Sequence, residues 1–95
     1  MSVGVEMKIV SVKLQQEALV VTLQQCSDKL SGAEDDVILD FSSVERIDPA
    51  VLTAMAEFAD TAEDKAVNVV LSGVSVAVYR VLKLARLAQR FSLVS

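Results

Sequence analysis

Histidine and tryptophan are absent from this sequence, and cysteine and proline occur once each, at Cys26 and Pro49. Without histidine no side chain has its ordinary pKa near neutrality, and the commonest metal ligand is missing. The carboxylates are spread over solvated faces, so no base, nucleophile pair or metal set can be assembled; no cofactor and no enzymatic activity are expected. A single cysteine excludes an internal disulfide, and Cys26 reads as a buried or incidental thiol. Glycine is scarce, and Gly73 with its flanking serines lacks the lysine and the spacing of a phosphate-binding loop. A formal charge of −4 argues against nucleic acid as the main partner. No apolar run reaches the ~18 residues a membrane span needs, and the N-terminus lacks the basic start and apolar core of a signal peptide. The expected location is therefore the cytoplasm.

What the chain has in excess is apolar side chains. They make up 53% of the 95 residues, and the mean hydropathy is +0.47. A single domain of this size, residues 1–95 with 1–6 as a loose leader, buries roughly 60–70% of its unfolded surface. The surplus points to an uncovered apolar surface and self-association, with a homodimer as one way to cover it.

The organising stretch is Val37 to Ala62. Val37, Leu39 and Phe41 alternate with Ile38 and Asp40, as in a strand with apolar groups on both faces. Asp48-Pro49 then starts a helix. Proline holds the preceding residue extended, which frees the Asp48 carboxylate to accept a first-turn N–H, and proline itself lacks an N–H where none is needed. Val51, Leu52, Met55, Phe58, Ala59 and Ala62 share one face, and Glu57, Asp60 and Asp64 another. The helix start is thus presented at the carboxyl end of a strand, the edge where sites gather in α/β sheets.

Around this unit, Lys8 to Leu14 alternates as a half-buried antiparallel strand. Gln15-Gln16-Glu17 reads as a turn and Ala18 to Leu23 as a second, more central strand. Between Gln24 and Asp36, Ser27 can cap one turn through Leu30, Gly32 can end it, and Glu34-Asp35-Asp36 is a solvated acidic run. Ala66 to Leu71 forms the next strand, a parallel neighbour reached by a right-handed crossover. Ser75 caps a second long helix to about Gln89, buried through Val78, Val81, Leu82, Ala85 and Ala88. Arg80, Lys83, Arg86 and Arg90 lie within about a third of its circumference. Phe91 to Val94 docks as an extended tail. The expected fold is α/β: a small mixed sheet in the order β-β-β-α-β-α, with its helices mainly on one face. The other face is left with Ile38 and Val70 and little to cover them.

From Val37 onward the strand VILDFSSV, the loop ERID, the helix after it, the strand VNVVLSGV and the helix VYRVLKLARLAQRF resemble a STAS domain, the family of bacterial anti-sigma factor antagonists. In that family the corresponding turn runs Ile-Asp-Ser-Ser/Thr-Gly followed by leucine. Its second hydroxyl residue is phosphorylated by a kinase that doubles as the anti-sigma factor. Here the segment is Ile47-Asp48-Pro49-Ala50-Val51-Leu52, so Asp48 and Leu52 match. Pro49 and Ala50 replace the hydroxyl residues, Val51 replaces the glycine, and Arg86 stands where a glycine is usual. Alanine has no oxygen to accept a phosphoryl group, so the switch cannot operate at position 50.

The resemblance implies a protein partner, kinase-like anti-sigma factor or other STAS-interacting protein, bound through Ser42, Ser43, Asp48, Pro49, Ala50, Val51 and Leu52. Asp48 also has a structural duty as a helix cap. Thr53, a conceivable substitute acceptor, is expected to bond a preceding carbonyl instead. A second functional reading is a subunit of a larger assembly, such as a stressosome-type complex or the small STAS subunit of a lipid-transport ABC system.

Overall fold

Alternating apolar residues become strands where a neighbouring strand satisfies their backbone, and here every neighbour runs parallel. The computed structural model describes residues 9–30 and 36–94. Along the chain it holds β1 (Ile9–Lys13), α1 (Leu19–Lys29), β2 (Asp36–Asp40), α2 (Pro49–Asp64), β3 (Asn68–Ser72), α3 (Val76–Leu84) and β4 (Ser92–Val94). Short 3-10 turns at Gln16–Ala18 and Ala88–Arg90 precede α1 and β4. The sheet order is β1-β2-β3-β4, with all pairs parallel. A parallel neighbour demands a crossover, crossovers are right-handed, and the order advances in one direction. All three helices therefore cover the same face.

Register confirms the two-layer arrangement. Val10, Val37 and Val69 form one row, and Val12, Leu39, Leu71 and Leu93 the next. Val37, Leu39 and Leu71 are buried under the helices with Met55, Phe58, Val78 and Leu82. The opposite face carries the row Ser11, Ile38, Val70 and Ser92, with Ile9 and Val94 about half exposed. Among the described residues no helix covers this face, as the composition leads one to expect.

The α/β class, the one-sided helices and the tail strand agree with the sequence reading, but the first third does not. Ala18 to Leu23 is not a strand: Leu19 to Lys29 is a helix, and the sheet is parallel instead of mixed. Val20, Val21 and Thr22 are β-branched and favour a strand locally. Leu19 and Leu23, four apart and both buried, mark a helical stripe instead, and α1 packs on α2. Joining β1 to a parallel β2 needs such a helix, so tertiary pairing overrode local preference. Likewise β1 is parallel to its neighbour and not half of a hairpin. Ser27 lies inside α1, where its hydroxyl donates to Thr61 Oγ1 at 3.2 Å. Asp36 opens β2, while Gly32, Glu34, Asp35 and the leader 1–6 lie outside the described residues.

The last long helix ends sooner than expected, at Leu84. Leu87 N–H donates to Leu82 O at 2.8 Å and Arg86 N–H to Lys83 O at 3.1 Å, with Arg86 at φ 61°. This is a left-handed helix stop, normally taken by glycine. It explains physically why glycine suits the place of Arg86. Helix α2 ends the same way at Ala66 (φ 56°), through Val67 N–H to Ala62 O at 2.8 Å. Beyond the α3 stop, Arg90 turns back to α2 and pairs with Asp60 at 2.8 Å and Glu63 at 2.9 Å. It therefore does not share a basic helical face with Arg80. Since a side chain at positive φ costs about 1 kcal/mol relative to glycine, Ala66→Gly and Arg86→Gly should each raise stability by about that amount. Urea denaturation of the single and double variants checks this, and the gains should add, because the two stops share no partner.

Candidate functional site

The carboxyl edge of the parallel strands gathers three loops. After β2, Asp40 is followed by the tight Ser42-Ser43 turn, closed by Val44 N–H to Phe41 O at 2.9 Å. The Asp40 carboxylate accepts the Ser42 N–H at 2.8 Å. That bond, then the Ser42 side chain and nearby Lys13, holds the Asp40 carboxyl below its ordinary pKa. A lowered carboxyl stabilises the fold above its unfolded pKa and loses that contribution as pH falls through the folded value. The turn is therefore fully braced at neutral pH.

The connecting segment is pinned from β1's side of the sheet. Gln16 Oε1 accepts the backbone N–H groups of Glu45 (2.7 Å) and Arg46 (3.2 Å), and Gln16 Nε2 donates to Arg46 O at 2.9 Å. One amide thus satisfies three backbone groups of a loop that has no ladder of its own. Gln16 was treated as a hairpin residue in the sequence. The segment lacks the Asn-Gly or Asp-Gly chemistry of a tight hairpin, a signal in the sequence that already speaks against one.

Helix α2 begins where the sequence places it. Asp48 is extended (φ −97°, ψ 172°) and its carboxylate accepts Val51 N–H at 3.0 Å, with Pro49 next as the first helical residue. Thr53 Oγ1 donates to Pro49 O at 3.2 Å, so its hydroxyl is engaged with a preceding carbonyl. Asp48, Pro49 and Ala50 are exposed, Leu52 is half-buried, and Val51 is a core residue, 4% exposed. Ser42 is exposed and Ser43 half-buried.

The seven candidate residues therefore form two groups along one edge. Ser42 and Ser43 make the turn after β2, and Asp48 to Leu52 make the first turn of α2. Among the described residues no hydrogen bond links the groups directly; the Gln16-pinned segment joins them. Behind the first group lies Gly73, at φ 68°, where an added Cβ would sit 3.0 Å from Ser42 N. Chemically this surface offers exposed backbone, two hydroxyls and an apolar helix start. Removing the Asp48 cap should cost about 1 kcal/mol in Asp48→Ala, whereas Asp48→Asn keeps most of it. Thermal unfolding of both variants separates the capping oxygen from the charge.

Cys26 lies elsewhere, half-buried on α1, and burial pushes its thiol pKa up, which suits an inert group. Among the described residues no set of three or more His, Cys, Asp or Glu could hold a metal ion. None of their helices is long and apolar enough to cross a membrane.

A family profile described as "Mlab, STAS domain" matches residues 10–95. The chain belongs to the STAS domain family. Solved structures agree on the fold of this STAS domain. A sulfate transporter family protein from Wolinella succinogenes superposes with a TM-score of 0.76 at 21% identity, over 90% of this chain and 75% of that one. A candidate anti-sigma factor antagonist from Thermotoga maritima gives 0.73 at 22% identity, over 90% and 77%. The NMR structure of that second protein gives 0.76 at 18% identity, over 92% and 74%. No curated protein matches the sequence. The STAS profile also covers the first third of the chain, ahead of Val37, where the sequence resemblance begins.

Proposed function

We propose that this STAS domain is a non-enzymatic interaction module of the cytoplasm. It binds a regulatory protein partner, an anti-sigma factor-like kinase or another STAS-interacting protein, through the turn and helix start from Ser42 to Leu52, and it does so without a phosphorylation switch. The observation that supports this reading is Ala50: an exposed residue on the first turn of α2, behind an Asp48 cap, on a loop fixed by Gln16. A phosphoryl group there would meet the positive end of the helix and add about −2 charge to the surface. The surface is built and the acceptor oxygen is not. Binding is then controlled by the partner's abundance instead of by covalent modification.

Two measurements test it. Ala50→Asp places a negative charge at a helix start, which is favourable by about 0.3–1 kcal/mol, so the fold should tolerate it. Loss of binding to the co-purified partner with no fall in melting temperature supports the reading; full binding overturns it. Incubation of the unaltered chain with a cognate kinase and ATP should give no mass shift, and a phosphate mapped to residues 47–53 would refute the missing switch.

A second reading, a subunit of a larger assembly, is favoured by the uncovered sheet face around Ile9, Ile38 and Val70 and by structural likeness to the sulfate transporter family protein. Light scattering after size exclusion discriminates. A soluble monomer favours the free binder, and aggregation that a partner relieves favours the subunit.

A further inference from the structure

Beyond the Ser42–Leu52 edge, the far side of the domain has its own built feature. Among the described residues the sheet order ends at β4, so this strand pairs with β3 alone there and leaves its other backbone edge without a strand partner. Between β4 and α3 lie two adjoining hollows of about 250 and 380 Å³, both lined by Tyr79 and Leu93, which makes them one groove. Val76 and Val94 form its apolar end, and both are large apolar side chains left exposed. Lys83 and Arg86 line the other end, and among the described residues no acidic side chain lines either hollow.

Charge sets the groove apart from the rest of the molecule. The chain carries −4 overall, yet from Val76 onward it contains basic residues and no Asp or Glu. Arg90 in this stretch is neutralised by Asp60 and Glu63, whereas Lys83 and Arg86 have no ion-pair partner among the described residues. An unpaired strand edge beside an apolar floor meets the requirements of strand addition, in which backbone bonds supply affinity and alternate side chains fill the pocket, and the cationic end selects an acidic segment.

We propose that the α3–β4 groove binds an extended acidic segment of a protein partner, which adds to the free edge of β4. Its alternate apolar side chains enter beside Tyr79 and Leu93, and its carboxylates meet Lys83 and Arg86. An anionic membrane would satisfy the same charges but not a concave slot, and the remaining acidic surface would repel it.

The test is an NMR titration of the full chain with a short blocked peptide alternating glutamate with valine and leucine. The same peptide with lysine for glutamate serves as control. Saturable amide shifts at Tyr79, Lys83 and Ser92–Val94, weakened by salt, are expected. Lys83→Glu combined with Arg86→Gly, the latter chosen to keep the helix stop intact, should weaken binding about tenfold or more. Arg80→Glu, off the groove, should leave it within about twofold. The proposal is overturned by equal binding of the lysine peptide, by shifts confined to residues 42–52, or by no saturation at millimolar peptide. Binding only to phosphatidylglycerol vesicles, or concentration-dependent shifts of the same residues without peptide, would assign the groove to a membrane or to a second copy and overturn it equally. None of these results bears on the Ala50→Asp experiment, which probes a separate surface.

Discussion

Phe58→Ala should lower the stability of the domain by about 3–5 kcal/mol. Phe58 is 1% exposed on the buried face of α2, and no other aromatic side chain of that helix shares the load. Leu23 of α1 borders the same region, so truncation opens a void between the two helices and loosens the contact that holds α1 onto the fold. Small domains of this kind hold only about 5–10 kcal/mol in total. The variant should therefore unfold at a far lower urea concentration and sit close to the folding threshold at 37 °C. Urea titration followed by circular dichroism measures the loss directly. A loss under about 1 kcal/mol would mean that the α1–α2 interface can collapse around the void.

Gly73→Val should cost about 2–5 kcal/mol and should disturb the candidate site from behind. Two effects add. The backbone at φ 68° disfavours any side chain by about 1–2 kcal/mol. The new Cβ would also lie 3.0 Å from Ser42 N and 3.1 Å from Ser42 Cα, and overpacking of backbone costs about 1–3 kcal/mol more. Gly73→Asn separates them, because asparagine tolerates the left-handed region but still brings a Cβ. If asparagine restores most of the stability, backbone conformation dominates. If it stays as unstable as valine, with amide shifts at Ser42 and Ser43, the close approach of the two loops is decisive. The geometry favours the second outcome, since Ser42 has no flexible side chain to move aside: the near atoms are its own backbone and Cβ.

How much of this was legible beforehand depends on the range of the interactions. The Asp48-Pro49 start of α2, its buried face and the Ser75 cap of α3 were readable because each rests on residues within four positions of one another. The bond from Thr53 to Pro49 O belongs to the same class. Ala18 to Leu23 reads as a strand because Val20, Val21 and Thr22 carry a local preference for one, whereas the helix is dictated by what α1 must do between two parallel strands. The early end of α3 was hidden for a related reason. Arg86 is a sound helix former, and only the closing bonds to Leu82 and Lys83 reveal its left-handed backbone. The family's preference for glycine at that place was the available hint.

The residues alone determined that a capped helix begins at position 49, that position 50 on its first turn carries no hydroxyl, and that apolar surface would remain after folding. All three depend on side-chain chemistry and short-range hydrogen bonds, which the chain carries wherever it goes. Only the tertiary structure decided that Gln16 pins the Glu45–Arg46 backbone, that Gly73 lets two loops touch, and that α3 and β4 enclose a basic groove. Those arrangements join residues twenty or more positions apart in two of the three cases, as with Gln16 and Arg46 or Gly73 and Ser42. No local preference encodes such neighbours; they exist because right-handed crossovers stack parallel strands in one direction and bring their carboxyl ends to a common edge.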